Sequence, residues 1–290
     1  MKKILVLTDL SDNTQHLTRA AVKFAINFQA DILLFKTYQS IPVTTFYGAG
    51  PWIGEDETWW EQESKDKLDK MGIELQQFIH LSFPGEKWRP VVYSRCEEGN
   101  LADNLKNVFE HDDIEMVIMG SSSEGSFEHL LFGNKTKSVL AHAKRPVLII
   151  TVGTELADIS KVVFATDFNI SDIKAVKYLA NLGEILHYDL EIVHVDVFGD
   201  NHQAETEARK VFLEILECIK YPNLHLQEIH GKEVVKSLKQ LCARQGANIL
   251  GLLHHQDSLV VRMIRQSITT DLLGEQTIPV IVFPSKMMLP

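Results

Sequence analysis

The sequence predicts an α/β protein made of two tandem three-layer αβα domains, each with a five-stranded, mainly parallel sheet. Two observations carry this. Short apolar runs alternate with amphipathic helical stretches, the pattern of βαβ units. A run ending in Thr-Asp opens the chain and returns 158 residues later, from Asp9 to Asp167.

Ile4 to Leu7 is a β-prone apolar run that stops at Thr8-Asp9. Asp9, Ser11 and Asp12 are all suited to cap a following helix. Leu17, Ala20, Ala21, Phe24, Ala25 and Phe28 then recur at helical spacing. Asp31 to Phe35 reads as a second strand. Ser40 to Asp56 is irregular, with Pro42, Gly48, Gly50, Pro51 and Gly54. Residues 57 to 83 return to helical periodicity through Trp60, Leu68, Met71, Leu75, Phe78 and Ile79. Pro90 to Ser94 reads as a strand, Asn100 to Phe109 as a helix, and Met116 to Met119 as a strand running into Gly120. A helix over 128–142 and a strand over 146–150 close the first half. The strands are apolar on consecutive residues, which suits a parallel sheet covered on both faces. Such sheets bind ligands at the carboxyl ends of their strands, near a topological switch point.

The pattern then restarts. Val162 to Phe168 repeats Ile4 to Leu10, and Ala175-Val176-Lys177-Tyr178 repeats Ala21-Val22-Lys23-Phe24. Leu190 to His194 matches Ile32 to Lys36. Near the end, Ile278-Pro279-Val280-Ile281-Val282 repeats Arg145-Pro146-Val147-Leu148-Ile149, now at an offset of 133 from Pro146 to Pro279. Repeats of this length are whole domains, not solenoid units. The expected bounds are 1–153 and 158–290, linked through Thr154 to Ser160, with the two halves packed as a pair.

The composition is that of a globular chain: 290 residues, 45% hydrophobic, with a formal charge of −10. An acidic chain is a poor partner for nucleic acid or an anionic membrane, which need clustered Lys and Arg. A small anion remains compatible, because a helix N-terminus holds phosphate without net basic charge. The opening apolar run is too short for a signal peptide, and no window is long enough for a membrane span. Cys96, Cys218 and Cys242 are odd in number and far apart, so neither a disulfide framework nor a thiolate metal site is expected. These features point to the cytoplasm.

The Thr-Asp at the end of the first strand, the Gly-containing turn after the fourth, and Arg145-Pro146-Val147-Leu148-Ile149-Ile150 at the close resemble the universal stress protein family. The resemblance covers nearly the whole chain and extends to the tandem arrangement. It implies a Rossmann-like, adenine nucleotide α-hydrolase-like fold. Nucleotide-binding members of that family carry Gly-x-x-Gly, nine residues, then Gly-Ser or Gly-Thr. Here the stretch is Gly120-Ser121-Ser122-Ser123, residues 124 to 132, then Gly133-Asn134, followed by Lys135. The spacing is kept, while Ser123 and Asn134 depart from the pattern. The resemblance implies an adenine nucleotide (ATP, ADP or AMP, with or without Mg2+) held in the first half. Thr8 and Asp9 would lie beside the adenosine, and the backbone about Thr37 would meet adenine. Gly120, Ser121, Ser122, Ser123, Gly133, Asn134 and Lys135 would surround the phosphates.

The residues themselves fit that chemistry. Glycine at a strand end lets a phosphate approach the backbone, and a helix start offers free N–H groups. Gly120 and Gly133 also suit a plain turn and cap, and Asp9 a helix N-cap, so these readings stand together. In the second half Gly120 maps to Leu253, Ser123 to Gln256 and Gly133 to Gln266, with Ser267 at the old Asn134 position. That copy keeps Asp167 but no phosphate glycine, and is expected to be a silent packing partner.

Several other groupings rank lower. His254-His255 with Asp257, and His202, His225 or His230, invite a metal reading, but adjacent histidines on an extended chain face opposite ways. Trp52, Trp59 and Trp60 suit a lid or an interface hot spot, and equally a cover for the sheet edge packed on the following helix. Glu55-Asp56-Glu57 reads as a solvated helix start. Neither a P-loop nor a Gly-x-Ser-x-Gly elbow is present. No catalytic residue or metal ligand set stands out, so the expected role is a stress-response protein acting through ligand-dependent shape or partners, with at most slow ATP hydrolysis. A scaffold without a ligand is the alternative. Pairing of two chains is left open.

Overall fold

The computed structural model describes residues 1–11, 14–39, 56–120, 134–151, 154, 156, 158–197, 205–254 and 278–287. At 56–60, 134 and 205–206 it describes the backbone. The chain divides into two compact units, Met1–Gly120 and Ser121–Pro290.

The first unit runs β1 (Lys3–Leu7), α1 (Thr14–Phe28), β2 (Asp31–Tyr38), α2 (Asp56–Ser82), β3 (Val92–Glu98), α3 (Leu101–His111) and β4 (Ile114–Gly120). Its strand order is β3-β2-β1-β4, with every pairing parallel. Ile4 to Leu7 and Ile114 to Met119 are buried on consecutive positions, as strands covered on both faces must be. α1 packs Leu17, Ala20, Ala21, Phe24 and Ala25 inward. Gln29 ends it in the left-handed region (φ 51°), and Ala30 N–H closes back on the Ala25 carbonyl. α3 begins at an Asn100 cap whose side chain accepts from Asp103 N–H at 2.9 Å.

β3 differs from the expected strand at 90–94. Its ladder to β2 runs from Val92 opposite Ile32 to Glu98 opposite Tyr38. β2 is longer than its apolar run, and the parallel register carries Arg95 to Glu98 with it. Polar residues are tolerated there because β3 has one ladder partner in this unit.

The second unit contains α4 (Asn134–His142), β5 (Val147–Ile150), β6 (Lys161–Ala165), α5 (Asp172–Leu186), β7 (Asp189–Val197), α6 (Glu205–Glu217), β8 (Leu224–Gly231), α7 (Val234–Gln245), β9 (Ile249–His254) and β10 (Val280–Pro284). Of the expected helix 128–142, residues 134–142 are described. The order is β5-β10-β9-β6-β7-β8. β5 is grouped here because it pairs with β10, and that pairing is antiparallel.

Strand registers repeat at the offsets found in the sequence. Ile4 faces Ile32 and Val162 faces Leu190; Val6 faces Ile118 and Phe164 faces Gly251. Between β5 and β10, Leu148 faces Ile281, residues 133 apart.

Candidate functional site

In the first unit β1 lies between β2 and β4, and the chain leaves β1 for β2 but returns to β4 on the other side. That makes the β1/β4 boundary the switch point, the place above the carboxyl ends where sheets of this kind bind ligands. Leu7 faces Met119 in the ladder, so the residues that rise next are Thr8 and Gly120.

Thr8 starts a tight turn. Its N–H still joins the sheet, donating to the Phe35 carbonyl at 3.1 Å. Its hydroxyl oxygen accepts Leu10 N–H at 2.9 Å and lies 3.3 Å from the Thr14 hydroxyl. Leu10 adopts φ 65°, a left-handed conformation that a bulky residue takes only when its surroundings impose it. Asp9 sits exposed at the crest. Its carboxylate accepts Ser11 N–H at 3.0 Å, so it closes an Asx turn within the loop. Lys36 of β2 donates to the Asp9 carbonyl at 3.4 Å, which sets a cation beside the turn.

Thr37 lies inside β2, opposite Glu97, and the strand runs on to Tyr38. The residue following the strand is therefore Gln39, not Thr37. The Tyr38 carbonyl is taken by Gly99 N–H at 2.8 Å. Its phenol is pushed up to about 12, by burial first and then by its hydrogen bond to Glu61 and the charges of Glu61 and Glu98. It stays neutral at physiological pH.

Gly120 ends β4 in an exposed position. Among the described residues no atom lies within 4 Å of a Cβ built there. Nor does its backbone need glycine, since the described glycines with positive φ are Gly99 and Gly246. Among the described residues neither packing nor conformation excludes a side chain at 120. Asn134 opens α4, Lys135 follows exposed, and Thr136 is buried. Ser121, Ser122, Ser123 and Gly133 lie outside the described residues, as do Trp52, the side chains of Trp59 and Trp60, and the Glu55 end of the acidic run.

The second unit has the same switch point between β6 and β9 and the same turn at its mouth. Thr166 accepts Phe168 N–H at 2.9 Å, and Phe168 takes φ 58°. Leu253 stands where the first unit has Gly120, and its side chain is buried at 8% exposure. Asp167 is half-buried. His230 pairs with Asp196 at 3.0 Å. Among the described residues no three His, Cys, Asp or Glu side chains gather as a metal site. His202, His255, Gln256, Asp257, Gln266 and Ser267 are outside the described residues.

Sequence reasoning passed over Lys36, Tyr38 and a polar group in the second unit. There the Thr166 hydroxyl donates to the buried Asp172 carboxylate at 2.7 Å, and the Thr166 carbonyl meets His194 Nδ1 at 2.9 Å. The offset of 158 would have flagged it, because it sets Asp172 against Thr14 and His194 against Lys36.

No helix among the described residues is long and apolar enough to cross a membrane. The family model of the universal stress protein family matches residues 1–151. A universal stress protein of Methanocaldococcus jannaschii is 24% identical over 151 residues, covering 51% of this chain and 81% of that one. The crystal structure of a universal stress protein from Archaeoglobus fulgidus superposes with a TM-score of 0.68 at 19% identity, over 98% of both chains. A functionally unknown protein from Pseudomonas aeruginosa gives 0.56 at 11% identity, over 98% of this chain and 92% of that one. These structures share the fold. With the family model matching residues 1–151, just over half of its length, the chain belongs to the universal stress protein family.

Proposed function

We propose that this stress-response protein is cytoplasmic and binds an adenine nucleotide (ATP, ADP or AMP) in its first half, at the switch point above Thr8, Asp9 and Gly120. In this reading the chain is a tandem pair of repeats, 1–153 and 158–290, and the nucleotide acts by biasing their shape or partners. The phosphates lie near Gly120, Ser121, Ser122, Ser123, Gly133, Asn134 and Lys135, with Mg2+ as an optional companion. The adenosine lies by Thr8, Asp9 and the end of β2 about Thr37.

The observation that carries this reading is that, among the described residues, neither packing nor φ demands a glycine at 120. A ligand needing the room explains it. The buried Leu253 at the matching place supports a silent second copy.

The test is a thermal-shift panel with ATP, ADP, AMP and cyclic AMP, with and without magnesium, on the wild type and on Gly120→Val. Ligand at a hundredfold excess over its Kd stabilises by about 2.7 kcal/mol. A shift in the wild type that Gly120→Val abolishes, with the ligand-free Tm unchanged, fits the proposal. No shift with any nucleotide favours a scaffold, the reading that Ser123 and Asn134 support by departing from the family pattern. Steady product formation favours a slow ATP hydrolase.

A further inference from the structure

We propose that the Thr166 turn of the second unit is a proton-binding switch that tightens as pH falls, and that the Thr8 turn of the first unit lacks this response. The inference does not depend on nucleotide binding.

The two turns share one backbone. In each, a threonine hydroxyl oxygen accepts the N–H two residues on at 2.9 Å, and that residue is left-handed. They differ in what brackets the threonine. Thr166 lies between a carboxylate and an imidazole: its hydroxyl donates to Asp172 Oδ2 at 2.7 Å, and its carbonyl meets His194 Nδ1 at 2.9 Å. The matching residues around Thr8 are Thr14 and Lys36, and neither side-chain type ordinarily changes charge between pH 5 and 8.

Asp172 stands in the first turn of α5, 4% exposed. Burial is the largest influence on its carboxyl and pushes it up to about 6. The hydrogen bond from Thr166 works against burial, the charge of Asp167 works with it, and backbone hydrogen bonds from Asp167 and Asn169 again oppose it. Among the described residues no Lys, Arg or His forms an ion pair with this carboxylate. The charged and titratable groups about this end of the sheet include, among the described residues, Asp167 on the loop, His194 from β7, His254 at the carboxyl end of β9, and Arg209 from α6. Arg209 lies over the Phe168 ring at 5.5 Å and pairs with Glu228 of β8. The same ring lies against His194 at 4.4 Å and edge-on to Phe212 at 5.6 Å.

At neutral pH a carboxylate is thus held out of water by hydrogen bonds alone, which is costly. Proton uptake removes that cost in the closed turn but does little for an opened, solvated one. The carboxyl is raised in the closed state, so the gain is full below the ordinary aspartate range. It is lost as pH rises through about 6.

The experiment is amide exchange on the full, ligand-free chain at pH 7.5 and 5.5, corrected for intrinsic rates, with a carbon-detected titration of the Asp172 carboxyl. Protection of the Phe168 N–H is expected to rise about fourfold on acidification, while Leu10 stays constant. Asp172→Thr, which installs the first unit's residue, removes the rise. Asp172→Asn holds protection at the acidic level at both pH values. His194→Lys keeps the rise. Flat protection in the wild type overturns the proposal, as does a rise that survives Asp172→Thr or vanishes in His194→Lys. An Asp172 titration midpoint near 4 in the wild type overturns it without any variant.

Discussion

Gly120 and Leu253 occupy corresponding positions toward the carboxyl ends of β4 and β9: among the described residues nothing meets a Cβ at 120, whereas the Leu253 side chain is buried. Their truncation and extension should therefore behave oppositely. Gly120→Ala adds a Cβ that meets nothing among the described residues, so unfolding free energy should change by less than about 1 kcal/mol. Leu253→Ala should cost about 2–4 kcal/mol, as a buried leucine does when cut to alanine. Urea unfolding of both variants checks the pair.

Gly183 of α5 is glycine for a different reason. A Cβ there would sit 2.5 Å from Cζ and the hydroxyl of Tyr221. Tyr221 cannot simply retreat, because its hydroxyl donates to the Tyr188 carbonyl. Gly183→Ala should cost about 1–3 kcal/mol by overpacking. Combined with Tyr221→Ala it should cost almost nothing further, a non-additivity that a double-mutant cycle measures.

Asp112 should give the protein part of its acid sensitivity. Burial alone would raise this carboxyl, but hydrogen bonds and charges from Lys3 at 2.6 Å and Arg95 at 2.8 Å hold it below the usual aspartate range. Its contribution is present above the ordinary aspartate pKa and lost as pH falls through the lowered folded value. Asp112→Asn should cost about 1–3 kcal/mol at pH 7, since Lys3 and Arg95 are partly exposed and screened. The gap between variant and wild type should close in acid, as pH falls below the ordinary aspartate range and through the lowered folded value. Unfolding curves across that range test it.

The cysteines should react in a fixed order. Cys218 is exposed. Cys96 is half-buried and its thiol is raised, chiefly by burial and despite the nearby Lys36. Cys242 is buried and pushed up to about 12 by burial and then by Glu191. At pH 8 a thiol-modifying reagent should label Cys218 first and Cys96 slowly, and reach Cys242 only on unfolding. Mass mapping over time reads the order.

The sequence revealed the strands wherever burial is two-sided, because runs such as Ile4 to Leu7 and Val162 to Ala165 are apolar at every position. It missed the carboxyl half of β3, where Arg95 to Glu98 are strand through register and not through composition. The offsets of 158 and 133 marked equivalent residues and match the repeated registers, but they did not announce that the equivalent strands β5 and β10 would pair with each other, Leu148 opposite Ile281, in an antiparallel ladder. In the candidate site, Thr8, Asp9 and Gly120 could be named because each has a role tied to its residue type. Lys36 and Asp172 could not. Their roles come from which carbonyl or hydroxyl the fold sets beside them, and an aspartate at a helix start looks like an ordinary cap until its burial is known.

The antiparallel ladder between β5 and β10 also bears on how the chain matures. Val147 and its partner Val282 are far apart in sequence, with β6 to β9 between them. Domains ordinarily acquire structure from the amino end while synthesis proceeds. Here that edge of β5 waits for β10, so the ladder closes only after the strands between them have been made. Until β10 is in place that strand edge is open, the kind of surface that invites aggregation.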